Sequence, residues 1–140
     1  MTVMDARSLQ RLLDDVDADF YVVEEVTDDG VRLRLPATSA HIRPGGTISG
    51  PALMALADAV AWVAVLAQIG PVVAAVSSSL HIDFLRRVPP VDVIGDGRVL
   101  KLGRSLAVID VSIRPADEEA LVAKAQVTYS IPPARPMKGG

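Results

Sequence analysis

The pattern of apolar and polar positions predicts a helix followed by a hairpin at the start of the chain. Residues 5–20 carry leucine and valine at helical spacing, with Asp and Arg on the other face. We assign residues 1–19 to this amphipathic N-terminal helix. Residues 20–26 are rich in β-branched and aromatic side chains, and an Asp-Asp-Gly turn separates them from the alternating segment 31–35. These two segments are predicted to pair as a β-hairpin.

A long apolar segment follows a loop rich in glycine and proline. Residues 36–50 contain two prolines and three glycines, so we predict a loop that allows a ligand to approach the backbone closely. Residues 51–69 contain no glycine or proline after Pro51 and are dense in Ala, Leu and Val, which predicts a helix that ends at Gly70. The segment is apolar nearly all round, so we expect a central helix enclosed on most sides.

The second half of the chain is predicted to be strands. Four segments rich in β-branched residues are separated by Pro-Pro, Gly-Arg and an acidic turn, and we predict a four-strand meander from them. Their ranges are 72–85, 91–102, 105–114 and 120–131. The predicted fold class is therefore α+β, with residues 20–131 forming an antiparallel sheet wrapped around a central hydrophobic helix. Residues 132–140 have no hydrophobic periodicity and are predicted to be a disordered tail.

Asp58 is the first candidate for chemistry. It is the only ionisable residue between Arg43 and His81, and it lies inside the most apolar segment. Burial of an unpaired carboxylate costs several kcal/mol, so a partner or a function is expected for it. The alternative is a structural carboxylate that caps a loop or pairs with Arg43 across a subunit interface.

Composition limits the class of protein. The chain has 140 residues, 50% of them hydrophobic, which suits one domain with its own core. It has no cysteine, which excludes disulfides and thiolate chemistry and fits a cytoplasmic location. A net charge of −3 and five aromatic residues argue against nucleic-acid binding. Asp58 argues against a membrane span at 51–69. His41 and His81 have no third ligand at suitable spacing, so no metal site is predicted.

Four stretches occur in an order and spacing that resemble one known family. They are residues 41–51 (HIRPGGTISGP), 56–58 (LAD), 77–86 (SSSLHIDFLR) and 103–108 (GRSLAV). Together they resemble the hotdog-fold acyl-CoA thioesterases of the phenylacetate-pathway (PaaI-like) type. The resemblance implies a hotdog fold and hydrolysis of an acyl-CoA thioester, with coenzyme A as part of the substrate and no separate cofactor.

The resemblance also implies roles for individual residues. The backbone amide of Gly50 corresponds to the group that polarises the thioester carbonyl, and Asp58 of the neighbouring subunit to the nucleophile or general base. Ser77 matches a hydroxyl that places the water or the carboxylate. Asp58 lies about 12 Å along the helix from Gly50 at 1.5 Å per residue, so one helix does not easily bring both groups to one carbonyl. We therefore expect a homodimer or a homotetramer.

The motif departs from the family pattern at two polar positions. Arg43 replaces the family's asparagine and Ser49 replaces its histidine. A second function therefore stays open, a hotdog protein that binds an acyl-CoA or small acyl group without hydrolysing it. Ser49 also suits the N-cap of the following helix. A hotdog dehydratase is less favoured, because this helix has no histidine for that chemistry.

The remaining candidates would contact the substrate. Met54 and Trp62 share a helix face with Asp58 and are candidates for core packing or for lining an acyl pocket. Arg86 and Arg104, with neighbouring basic residues, are candidates for a rim that binds the phosphates of coenzyme A or for solvated surface charges. The substrate-binding candidates are thus Arg43, Thr47, Ser49, Met54, Trp62, Arg86 and Arg104.

Overall fold

The computed structural model describes residues 2–133, and the tail predicted at 132–140 lies outside the described residues apart from its first two prolines. The helices are α1 (Ala6–Asp15) and α2 (Gly50–Ile69). The strands are β1 (Val22–Val26), β2 (Gly30–Leu35), β3 (Ile42–Arg43), β4 (Thr47–Ile48), β5 (Val76–Phe84), β6 (Val93–Leu102), β7 (Leu106–Pro115) and β8 (Ala123–Ser130).

Six of the strands form one antiparallel sheet in the order β1-β2-β6-β7-β8-β5. The predicted fold class is confirmed, because this sheet wraps around α2. The prediction of a four-strand meander is wrong for β5. Strands β6, β7 and β8 are neighbours in chain order, whereas β5 pairs with β8 and lies at the sheet edge. Alternation in the sequence identifies a strand but does not identify its neighbour, which here depends on how residues 85–92 cross the end of the sheet.

The burial of α2 explains its apolar composition. Its side chains pack against the sheet on one side, and Leu56, Ala57, Val60 and Ala61 are fully shielded from solvent. The helix begins after the N-cap Ser49 and ends at Gly70, whose φ of 99° suits glycine. Within the described residues, Gly50–Ile69 is the one helix long and apolar enough to cross a membrane, but a helix in a protein core has the same composition.

Two glycines of β6 let α2 approach the sheet closely. A Cβ atom on Gly95 would lie 2.7 Å from Val60 Cγ2, and one on Gly97 would lie 2.5 Å from Val60 Cγ1. Real Cβ atoms do not approach other carbons this closely, so both positions exclude larger residues unless the helix moves. The contacts of Val60 with these two glycines therefore determine how closely α2 packs against the sheet.

A small hairpin positions the start of α2. Strands β3 and β4 pair within the segment predicted as a loop, and the turn between them uses Gly45 and Gly46 at φ values of 107° and 82°. The Ser49 amide donates to the His41 carbonyl at 2.8 Å, and the Ile48 amide donates to the Val88 carbonyl at 2.9 Å. These bonds anchor the chain immediately before Gly50. Of the three glycines that predicted a loop, Gly45 and Gly46 form the turn of this hairpin and Gly50 begins α2.

Helix α1 packs against part of the side of α2 that the sheet leaves open, while Met54 and Ala55 on that side stay exposed. Its N-cap Asp5 accepts a hydrogen bond from the Ser8 amide at 2.8 Å, and Leu9 and Leu13 are each 1% exposed. The Gln10 side chain donates to the Tyr21 carbonyl at 2.9 Å and accepts from the Val23 amide at 2.7 Å. Gln10 thus attaches α1 to the β1 edge of the sheet.

Substitution of Gly97 by Ala should destabilise the protein by about 1–3 kcal/mol, because the added methyl overlaps Val60. Urea unfolding of wild type, Gly97→Ala, Val60→Ala and the double variant would measure this. We expect the double variant to be more stable than the sum of the single losses predicts, since the smaller residue at 60 makes room for the new methyl. If the two single losses in the free energy of unfolding simply add in the double variant, the contact between residue 97 and Val60 is not the cause of the destabilisation.

Candidate active site

Most of the predicted site residues line one of two separate cavities of the chain. The first, which we call the Gly50 cavity, has a volume of about 440 Å³ and is lined by Gly50, Arg43, Thr47, Phe84, Arg86 and Arg87 among others. The second, which we call the Asp58 cavity, has a volume of about 390 Å³ and is lined by Asp58, Ser77, Trp62, Tyr21 and Tyr129 among others. The two halves of the expected chemistry therefore do not meet within one subunit.

The Gly50 cavity lies at the N-terminus of α2. The Ser49 hydroxyl accepts a hydrogen bond from the Ala52 amide at 3.1 Å, so its predicted role as helix N-cap is confirmed. Gly50 is the first residue of the helix, and amides in this position have no acceptor within the helix. The helix dipole adds partial positive charge there. The backbone at Gly50 thus favours an oxygen atom that gains negative charge.

Basic side chains surround the same cavity. Arg43 from β3, with Arg86 and Arg87 from the segment after β5, contribute to its lining, and no acidic residue of the described chain does. The Arg86 Nε donates to the Leu121 carbonyl at 3.1 Å, which fixes the direction of that side chain. The cavity is therefore suited to an anionic ligand.

Asp58 is half-buried, so the expectation that it is a buried charge is wrong. It lies where the surface of α2 borders the open Asp58 cavity, and the solvent there lowers the cost of its charge. No Lys, Arg or His nitrogen among residues 2–133 lies within 4.0 Å of its carboxylate. The alternative of a pair with Arg43 across a subunit interface stays a prediction. The carboxylate remains in a cavity that also contains Ser77 and Trp62.

Tyr129 is the hydrogen-bond partner of Asp58. Its hydroxyl donates to Asp58 Oδ1 at 2.6 Å and also lies 3.2 Å from the Asp58 carbonyl oxygen. Tyr129 extends from β8 and is 4% exposed. Sequence reasoning missed this contact, although Tyr129 follows Ala123, Ala125 and Val127 at alternate positions of β8. A residue with a polar tip in an inward-facing apolar series is the signal that could have identified it.

Both tyrosines of the chain border Asp58 and have raised pKa values. Burial, followed by the charge of Asp58, raises the pKa of Tyr21 to about 12. Burial is also the largest cause for Tyr129, and the hydrogen bond to Asp58 adds to it, so the Tyr129 pKa lies far above its usual value. Both hydroxyls therefore stay protonated at neutral pH, and Tyr129 remains a donor to the carboxylate.

Two predicted substrate-binding residues lie elsewhere. Met54 is on the outer surface of α2 and is 41% exposed. Arg104 lies in the turn between β6 and β7, where it lines a third cavity of about 800 Å³ with Ile69, Leu102 and Pro132. Arg104 is therefore not brought into the cavity that Arg86 lines. In the described part of the chain, no group of three or more His, Cys, Asp or Glu side chains could hold a metal ion.

Comparisons with known proteins place this chain in one family. A family model described as the thioesterase superfamily matches residues 45–129, which is more than half of the chain. A candidate thioesterase from Silicibacter sp. TM1040 is 36% identical, with 95% of each chain covered and a TM-score of 0.86. A candidate esterase from Thermoplasma acidophilum is 24% identical over 79% of this chain and 83% of that protein. Thioesterase superfamily member 2 of zebrafish has the same fold at 20% identity, with a TM-score of 0.80 over 93% of this chain and 100% of that chain.

The raised tyrosine pKa values can be checked by alkaline titration of tyrosinate absorbance. A free tyrosine ionises at about pH 10. Because the pKa values of Tyr21 and Tyr129 are raised, we expect the folded protein to form little tyrosinate at that pH. Because the tyrosine pKa values are higher in the folded protein than in the unfolded chain, the protonated tyrosines stabilise the fold. This stabilisation is complete below about pH 10 and is lost as the pH rises through the pKa values of the folded protein. Asp58→Asn should lower the pH at which Tyr129 ionises. A full tyrosinate signal near pH 10 in folded protein would contradict the contact.

Proposed function

Because this chain belongs to the thioesterase superfamily, we propose that it is an acyl-CoA thioesterase of the PaaI-like type whose active site forms between two copies of the chain. Membership of the family supports thioester hydrolysis as the general activity. The observation that carries the finer proposal is the separation of Gly50 and Asp58 into two cavities of one subunit. Each cavity contains half of the groups that thioester hydrolysis requires.

The exposed strand β5 supports a homodimer that joins the two halves. This strand forms a sheet edge, and its two ends carry Val76 and Phe84, which are 60% and 51% exposed. An edge strand with exposed apolar side chains is suited to pairing with another strand. Antiparallel pairing of two β5 strands about a two-fold axis brings the start of one beside the end of the other.

This pairing has a direct consequence for the site. Ser77, near the start of β5, lines the Asp58 cavity, and Phe84, at its end, lines the Gly50 cavity. The two-fold axis would therefore bring the Asp58 cavity of one subunit next to the Gly50 cavity of the other. Two equivalent sites result in each dimer, and pairing of dimers would give the tetramer.

In the proposed reaction, the thioester carbonyl lies at the N-terminus of α2. The Gly50 amide donates a hydrogen bond to the carbonyl oxygen, and the helix dipole favours the negative charge that forms on it. A backbone donor is fixed in place before the substrate binds, so no reorganisation is needed as the charge develops. This group does not depend on the side chains of Arg43 or Ser49.

Asp58 of the other subunit would act on the carbonyl carbon, on the side of the thioester away from the Gly50 amide. As a general base, its carboxylate takes a proton from water while the water oxygen bonds to the carbonyl carbon; the C–S bond then breaks and the coenzyme A thiolate leaves. As a nucleophile, a carboxylate oxygen bonds to the carbonyl carbon and the thiolate leaves, and water then hydrolyses the mixed anhydride. Ser77 lines the same cavity and would help to place the water or the carboxylate.

The linings of the two cavities suit the two ends of an acyl-CoA. Arg43, Arg86 and Thr47 of the Gly50 cavity provide donors for the phosphates of coenzyme A or for a carboxylated acyl group. The Asp58 cavity is mostly apolar and includes Trp62, which suits an acyl chain or an aryl group. Substrate would therefore extend from a basic region of one subunit into an apolar region of its partner.

Asp58→Asn tests the chemistry of this site. We expect the variant to keep its fold and lose about 10²- to 10⁴-fold in kcat, because the amide cannot take a proton or attack the carbonyl. A panel of aryl, short-chain and medium-chain acyl-CoA substrates, assayed by release of the free thiol, would measure the loss. Undiminished hydrolysis in Asp58→Asn would exclude the proposed role. Tight binding of an acyl-CoA by the wild type without any hydrolysis would favour a protein that binds acyl-CoA without hydrolysing it. Arg43 and Ser49, the two departures from the family motif, would then be suited to binding.

Complementation between two inactive variants tests the shared site. Gly50→Pro removes the amide donor at a helix position that tolerates proline and adds ring carbons. Gly50→Ala keeps the donor and places its methyl 3.5 Å from Phe84, an ordinary contact, so it is the control for the added carbon. We expect the proline variant to lose about 10²- to 10³-fold relative to the alanine variant.

When Asp58→Asn and Gly50→Pro subunits are co-expressed, each mixed dimer contains one intact site. Random pairing should therefore restore about a quarter of wild-type activity. Separately expressed variants mixed without exchange of subunits are the control. If the mixed dimers form and remain inactive, both groups act within one chain and the interface site is wrong.

A further inference from the structure

One short hydrogen bond in the Asp58 cavity has no part in the function proposed above. The Tyr129 hydroxyl donates to Asp58 Oδ1 at 2.6 Å, which is in the range of a hydrogen bond to an ionised acceptor. The Tyr129 ring is buried among core residues and its exposed fraction is 4%. The donor therefore reaches the carboxylate from a rigid element rather than from a loop.

Tyr129 is also connected to the strand that carries Ser77. Ser77 of β5 is paired in register with Tyr129 of β8, and a β-bulge follows at once, between Ser77 and Ser79. Bulges reorient a side chain and are frequent beside active sites. The α2 carboxylate, the β8 hydroxyl and the β5 hydroxyl are thus assembled by three different elements at one end of the sheet.

We propose that Tyr129 is a positioning residue that occupies Oδ1 of Asp58, so that Oδ2 is the oxygen that acts on the thioester or on the attacking water. This inference rests on the proposed role of Asp58. An aspartate side chain on a helix surface has several accessible rotamers, and a single fixed donor at one oxygen selects one of them. A carboxylate with one oxygen bound and the other free presents the same lone pairs at every turnover.

Tyr129 does not exchange its proton in this scheme. Burial and the neighbouring carboxylate hold the Tyr129 pKa far above its usual value, so the hydroxyl stays protonated while Asp58 works. The proton taken from water goes to Oδ2, and the Tyr129 proton stays on its own oxygen. Tyr129 therefore differs from a general acid, which would have to donate its proton to the leaving thiolate.

Tyr129→Phe tests the inference because it removes one oxygen and keeps the ring in the core. We expect kcat to fall about 10- to 100-fold, as for the loss of a hydrogen bond to a charged group, with KM changed by less than about threefold. A merely structural role would lower stability without this separation of kcat from KM.

Tyr21→Phe is the matched control. Among the described residues, Tyr21 and Tyr129 are the other ionisable side chains that line the cavity with Asp58. Tyr21→Phe removes the same atom from the same cavity without removing a hydrogen bond to Asp58, so its kcat should fall much less than that of Tyr129→Phe.

The double variant Asp58→Asn/Tyr129→Phe separates failure of this inference from failure of the proposed function. If Tyr129 acts through Asp58, the double variant should be no slower than Asp58→Asn alone. An inactive Asp58→Asn together with a Tyr129→Phe variant that keeps wild-type kcat would overturn the positioning role and leave the role of Asp58 intact. An active Asp58→Asn would overturn the proposed function itself. Circular dichroism and thermal unfolding of each variant would show that the fold is retained.

Discussion

The close approach of α2 to the sheet at Val60 is the constraint on which the rest of the structure depends. A helix that is apolar nearly all round is stable only where most of its surface is covered, and the six-stranded sheet and α1 provide that cover. Gly95 and Gly97 allow the helix to reach the sheet at this depth. Because the helix is rigid and its depth is fixed, the positions of its N-terminus and of Asp58 are fixed as well. The fold therefore determines the site before any polar contact is considered.

The site combines two opposite electrostatic environments on one helix. The N-terminus of α2 concentrates positive charge from the backbone and from nearby arginines, whereas the middle of the helix presents a carboxylate beside two protonated tyrosines. Within one subunit the two environments are separate, and the exposed edge at β5 offers a route to bring them together between subunits.

Most of the fold could be predicted from the sequence, and the reasons are local. Alternation identified the strands, and the composition of residues 51–69 identified the central helix, because both depend on which side chains must be buried. The place of β5 at the sheet edge was not predictable in this way, since pairing depends on chain crossings and not on alternation. The candidate roles of Gly50 and Asp58 came from the resemblance of the motifs to a known family. Alternation in β8 marks Tyr129 as an inward-facing residue with a polar tip, but it does not identify a partner 71 positions away in the chain. The exposure of Asp58 could not be judged without knowing which face of α2 the sheet leaves uncovered.

The interval between Gly50 and Asp58 restricts how a protein of this kind can change over evolutionary time. Each residue inserted into or deleted from a helix rotates all later side chains by about 100°, so a single insertion between these residues would direct the carboxylate away from its cavity. The same insertion would move Val60 away from Gly95 and Gly97 and disrupt the core. A change of length in this part of α2 would therefore disrupt the core and misplace the carboxylate in a single step.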